Sequence, residues 1–258
     1  MTIILEMLPY FLLMLVRVTS FFLIAPVFSM RGVPTQFKIG LAFFLTLFAI
    51  SASTSEAVIL IDGYYLFLIA KEVFIGVALG FTAALLLYAV QVAGAFIDFQ
   101  MGFALANVMD PQTGAQVPMI GHFKYTLALL FLLIVDGHHL MLDGVMRSFQ
   151  FVPIETVSFS LESGEMARFM STLFLQMFLI AVQIALPVVG AVFLIDVALG
   201  ILAKTVPQLN IFAVGFPVKI FAGFIMLLLV MPFFFFILQS LFEKIIVSMA
   251  ELIKLLGA

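Results

Sequence analysis

The 258-residue chain has no cysteine, no tryptophan and little charge of either sign. Without cysteine there is no disulfide, no thiolate metal site and no cysteine nucleophile. Aromatic belts at membrane–water interfaces are built from Trp and Tyr. With no Trp and five Tyr, clear interface anchors are scarce, which favours a chain enclosed by partner subunits over one standing alone in lipid. Charged residues make up 10% of the chain and the net charge is −3. The basic patches that nucleic acid requires are therefore missing, and no nucleic-acid partner is expected. Walker, dinucleotide-binding, GxSxG and HExxH motifs are also missing. The Asp-Gly pairs at Asp62, Asp136 and Asp143 are turn-like and do not sit in paired apolar helices, as an intramembrane carboxylate dyad would require. Neither an enzyme nor a cofactor is expected.

What is present is apolar. Hydrophobic residues make up 65% of the chain, 32 of them Phe. Too little polar sequence remains to cover that surface in water, so lipid or a membrane-embedded complex must be the solvent for much of it. Glu6 stands where a cleaved signal peptide would carry positive charge, and the apolar stretch runs on past Arg17, so no such peptide is expected.

An α-helix crosses hydrocarbon in about 20 apolar residues. Val73–Ile97, Phe169–Ile195 and Ile220–Phe242 meet that length without a charge. Residues 7–30 carry Arg17, Ile39–Ser55 ends in a Ser/Thr cluster, and Tyr125–Val135 is short. Interrupted helices of this kind are tolerated where protein surrounds them. The expected fold is all-α, built of hydrophobic helical hairpins. Pro34 opens a helix through Lys38, Ser53–Glu56 has capping-box spacing, and Pro153 ends a helix that begins near His122. Ile154–Glu165 is expected to be an exposed loop, and Pro207 to break the chain between two long helices, with kinks at Pro217 and Pro232. Leu241–Leu256 is amphipathic: Ile245, Met249, Leu252 and Leu256 oppose Lys244, Ser248 and Glu251, as in an interfacial or partner-packing helix. Positive charge near 31–38 and 204–219, against acidic 51–63 and 153–165, places the first pair in the cytoplasm.

The segment Met101–Gly121 is rich in turn formers and helix breakers, among them Gly102, Asn107, Asp110, Pro111, Thr113, Gly114 and Pro118, and it lies between two hydrophobic helices. It is either a pore loop or plug, or an ordinary surface loop. Irregular backbone at membrane depth needs protein around it or water beside it. Gly76 and Gly80 form a GxxxG, whose small residues permit close helix packing. Asp136, His139, Asp143 and Arg147 fall on one helix face, with His138 beside it. A solvated face with an Asp143–Arg147 pair is expected there. A metal site is not, because no second cluster supplies further ligands. Arg17, Lys71, Glu72, Asp98, Lys124 and Asp196 lie in or beside apolar stretches. A transporter would use such groups to couple ions or protons; here they are expected instead to pair between subunits or to snorkel. Lys71 and Glu72, being adjacent, point about 100° apart on a helix and are not expected to form one site.

Two stretches resemble the FliR family of type III secretion export-gate subunits. One is Gly94–Gly121, with DFQMG at 98–102 leading into Asp110-Pro111. The other is LGILAKTVPQLNIFAVGFPVK at 199–219. Arg17, Ala25-Pro26-Val27-Phe28, Pro34, Lys38-Ile39-Gly40 and Gly137-His138 match in order along the chain. The resemblance implies a FliP-like part over 1–165 and a FliQ-like helical hairpin over 166–258. It implies a core subunit of the flagellar gate, assembled with FliP and FliQ beside FlhB and FlhA in the bacterial inner membrane and the flagellar basal body. Unfolded flagellar proteins would pass in transit, and membrane lipid would surround the assembly. The family's pore plug maps onto Met101, Phe103, Asn107, Met109, Asp110, Pro111, Thr113, Gly114, Pro118 and Met119. Its cytoplasmic hairpin tip maps onto Pro207, Gln208, Leu209, Asn210 and Phe212. A virulence-injectisome subunit is the alternative within this class. A secondary transporter would call for inverted repeats, which are not visible.

Overall fold

The computed structural model describes residues 2–30, 32–52, 59, 62–103, 118–156, 164–206, 208 and 210–257, with side chains from residue 7 onward except at 52, 211 and 212. Among the described residues the fold is all-helical. The elements are α1 (Thr2–Ile24), α2 (Thr35–Ala52), α3 (Gly63–Met101), α4 (Met119–Ile134), α5 (Gly137–Phe151), α6 (Glu165–Thr205), α7 (Ile211–Leu229) and α8 (Met231–Gly257). Four helices are long and apolar enough to cross a membrane: α1 over Met7–Ile24, α3, α6 and α8. The pair α4 and α5 makes a fifth if it is counted as one broken span.

Local chemistry sets several of the helix ends. Asp62 caps α3 by accepting the amides of Tyr64 (3.0 Å) and Tyr65 (3.2 Å). Asn210 caps α7 through the Ala213 amide, 3.3 Å away. Pro34 immediately precedes α2, and its carbonyl accepts the Lys38 amide. After α1 the chain turns through Ala25–Phe28, where Val27 takes φ 70° and Phe28 stacks on Phe22 at 4.6 Å. The capping box expected at Ser53–Glu56 lies outside the described residues.

Three expectations are corrected here. The apolar run Ile220–Phe242 is not one helix, because it breaks at Val230 between α7 and α8. Pro232 then lies in the first turn of α8, where its missing amide costs nothing. The helix expected from His122 to Pro153 is two helices. Asp136 between them is left-handed (φ 56°), an uncommon setting for a residue with a side chain. Finally, the opening of the expected exposed loop is not free, since Ile154 is buried and the carbonyls of 153, 154 and 156 are bonded to Lys71.

The chain forms two compact units: Met1–Leu86 with Leu132–Phe174 and Glu243–Ala258, and Leu87–Phe131 with Leu175–Phe242. In the first unit Leu13, Met14, Tyr65, Leu68 and Ile154 form a core cluster. The end of α8 belongs to this unit. Its apolar face (Ile245, Met249, Leu252, Leu256) is buried within the chain itself rather than left for a membrane surface, and Ser248, expected on the polar face, is buried too. In the second unit Phe131 packs edge-on against Phe235 at 5.1 Å, and Phe96 against Phe178 at 6.1 Å.

Candidate functional site

Segment 104–117 joins α3 to α4, and the second unit fixes both of its ends. Near the end of α3, buried Asp98 accepts the first amides of α4: Ile120 at 3.1 Å and Gly121 at 3.3 Å. A carboxylate suits a helix N-terminus, where amides lack intrahelical partners and the dipole is positive. Asp98 is thus an N-cap supplied from a different helix. Gly94 and Gly121 meet so closely that a Cβ on Gly94 would collide with the Gly121 backbone. Only a glycine at 94 lets the two backbones approach to the distance at which Asp98 reaches the amides.

The α7 helix packs against the residues that lead into that segment, Met101–Phe103. Gly102 has φ 90°, and a Cβ there would meet Phe216 at 2.7 Å. Phe103 lies edge-on to Phe224 at 6.3 Å, and buried Met101 fills the space beside Gly223. Gln100 donates to Asp196 at 2.8 Å, and Asp196 pairs with Lys219, linking α3, α6 and α7. Of the residues expected to plug a pore, Met101 is buried, Phe103 and Pro118 are half-buried, and Met119 is exposed. Asn107, Met109, Asp110, Pro111, Thr113 and Gly114 lie outside the described residues. At the expected hairpin tip, Gln208 is an exposed turn and Asn210 the cap of α7. Phe212 is within α7, while Pro207 and Leu209 are not described.

The first unit holds a second polar constellation. Arg17 donates to Glu72 through Nε at 2.5 Å and through a terminal nitrogen at 3.0 Å, a two-point pairing. It also donates to Ser148 Oγ and to the Val152 carbonyl, and its guanidinium lies 4.5 Å from the Phe149 ring centre. Lys71 lies 3.0 Å from Glu72 and donates to the carbonyls of Pro153, Ile154 and Thr156. Arg17, Lys71 and Glu72 are all buried. The expectation of pairing between subunits is corrected for this cluster, which pairs within the chain. So is the separation of Lys71 from Glu72, because two long side chains bend back to a common point that their backbone directions do not suggest. Lys124, expected to pair or snorkel, is instead buried over the Phe234 ring at 4.6 Å.

Gly76 and Gly80 face α1. A Cβ on Gly76 would strike the Arg17 carbonyl, and one on Gly80 would stand 3.0 Å from the Phe21 carbonyl. Asp143 and Arg147 pair at 2.6 Å on an exposed face. Asp136, His138 and His139 bring ligand atoms within 4.8 Å of one another, the one His/Asp grouping among the described residues able to hold a metal ion. Sequence reasoning had no physical reading of the Gly94–Gly121 contact, the Asp98 cap or the Gln100–Asp196–Lys219 link. The one signal was the position of Gly94, Asp98 and Gly121 at the ends of a single motif.

Residues 8–245 match the family described as Bacterial export proteins, family 1. The chain is 46% identical over 254 residues to the flagellar biosynthetic protein FliR of Bacillus subtilis, covering 98% of each chain. It is 32% identical to FliR of Escherichia coli, covering 93% of this chain and 91% of that one. It is also 30% identical to the Yop proteins translocation protein T of Yersinia pestis, covering 80% of each.

Proposed function

The chain belongs to the bacterial export proteins, family 1, and on that premise we propose that it is a core subunit of the flagellar type III protein export gate. It assembles with FliP and FliQ in the bacterial inner membrane at the flagellar basal body, beside FlhB and FlhA. Unfolded flagellar proteins pass through the resulting pore. Residues 1–165 form a FliP-like part and residues 166–258 a FliQ-like hairpin, whose tip at Pro207–Phe212 faces the cytoplasm. The segment about 101–121 plugs the closed pore. The protein's task is passage, and no catalysis is assigned to it.

The observation that carries this reading is the anchorage at Asp98. A plug must be held at its base and must move at modest cost along its length. The Asp98 cap and the Gly94–Gly121 contact fix the base, while the intervening sequence mixes turn formers and mildly polar residues with apolar ones. Shortening 106–119 is expected to leave assembly with FliP and FliQ intact, as judged by co-purification, and to make the membrane leak ions. An assembled gate that shows no added conductance would refute the plug. The injectisome reading draws on the likeness to the Yop translocation protein. The higher identity to flagellar relatives favours the first, and restored motility in a strain lacking its own flagellar counterpart decides between them.

A further inference from the structure

A groove of about 350 Å³ opens in the first unit between α5 and the last turns of α8. Its wall is almost wholly apolar: Leu140 and Phe151 from α5, and Ile246, Met249, Ala250 and Ile253 from α8. Gly144 sits at the floor, where a Cβ would stand 3.0 Å from the flexible Met249 side chain. Among the described residues, the charged ones that line it are Asp143, Arg147 and Lys254, all exposed. Arg147 gives its Nε to Asp143. A guanidinium carries five N–H donors, so four remain for another acceptor. Lys254 lies in the last turn of α8, a helix turn from exposed Glu251, and has no ion-pair partner among the described residues. The lining charges therefore leave one positive charge in excess.

An apolar slot with cations lining its edge is the complement of an amphiphile that carries a negative head. We propose that this groove seats one acyl chain of an anionic phospholipid, its phosphate held by Arg147 and Lys254. The size argues against a partner helix, which with its side chains is about 10–12 Å across. A cavity at the lower end of the range for small-ligand sites admits one aliphatic chain. The electrostatics argue against a purely apolar occupant, which would leave Arg147 and Lys254 unused. A chain with several helices suited to a membrane meets such lipids in its ordinary surroundings. The inference is independent of the export reading, since it uses only α5, α8 and their charges.

The test is made on the full chain reconstituted in vesicles of either phosphatidylglycerol or phosphatidylcholine, extracted into mild detergent and weighed by native mass spectrometry. One phosphatidylglycerol is expected to stay with each chain, favoured over phosphatidylcholine by about fivefold per engaged cation. Ala250→Phe, at an exposed position on the wall, fills the slot and is expected to abolish retention of both lipids. The double variant Arg147→Gln/Lys254→Gln changes only exposed side chains and is expected to remove the preference while leaving the slot. Equal retention of the two lipids by the unaltered chain, retention of detergent alone, or unchanged retention in Ala250→Phe would each overturn the proposal. So would a complex purified with its companion subunits in which a polypeptide occupies the groove and no lipid is retained.

Discussion

At Glu72 one carboxylate, shut away from water, is held by two cations at once, and everything near it depends on that balance. Breaking a buried pair by removing one partner costs about 3–5 kcal/mol, because the survivor keeps its charge without its solvent. Glu72→Gln is expected to cost at least that much here, since it strands Arg17 and Lys71 together. The midpoint of denaturant unfolding in micelles would register it. The double variant Arg17→Leu/Glu72→Leu is expected to be more stable than Glu72→Leu, because one stranded cation then remains instead of two, and a purely additive result would show that the pair is not coupled. Asp98 gives a milder case. Asp98→Ala leaves two amides of α4 without an acceptor and is expected to cost about 1–3 kcal/mol. Asp98→Asn keeps an acceptor and is expected to lose less, which hydrogen-exchange protection at Ile120 and Gly121 would report.

Among the elements, α3 departs from a simple membrane span. Its 39 residues rise about 58 Å at 1.5 Å each, roughly twice a hydrocarbon core. Its charged groups, Lys71, Glu72 and Asp98, all find partners inside the protein. Between them Gly76 and Gly80 let α1 approach. Gly76→Ala is expected to destabilise by about 1–3 kcal/mol through overpacking and more than Gly80→Ala, because its Cβ meets the α1 backbone more closely. Thermal unfolding of the two variants side by side would check the order. Features that arise within one helix were legible in the sequence: the Asp143–Arg147 pair, Pro34 just ahead of α2, and the apolar face of α8. The Arg17–Glu72 pair was not, because its partners are 55 residues apart and helical spacing reports only neighbours on the same element. The break at Val230 was also hidden, since a run that is apolar on every side gives no period whose interruption could be seen.

Taken whole, the molecule leaves large apolar side chains uncovered on several helices: Phe44 and Phe48 on α2, Phe99 on α3, and Phe221 and Leu228 on α7. Composition forecast this surplus, but it does not say whether lipid or another subunit covers each patch. The chain purified alone in detergent is expected to unfold at a lower temperature than the same chain bound to the proposed partners FliP and FliQ, because binding only the folded form stabilises it. Equal melting temperatures would mean that these faces are satisfied by amphiphiles alone. The Asp98 cap has a consequence of another kind. It ties the roots of 104–117 to each other, so the ring is already shut however many residues hang from it. Doubling the length of such a closed span adds only about 0.6 kcal/mol. Insertions between Phe103 and Pro118 are thus expected to be nearly neutral for folding, so the length of that span can change while the helices that carry it stay as they are.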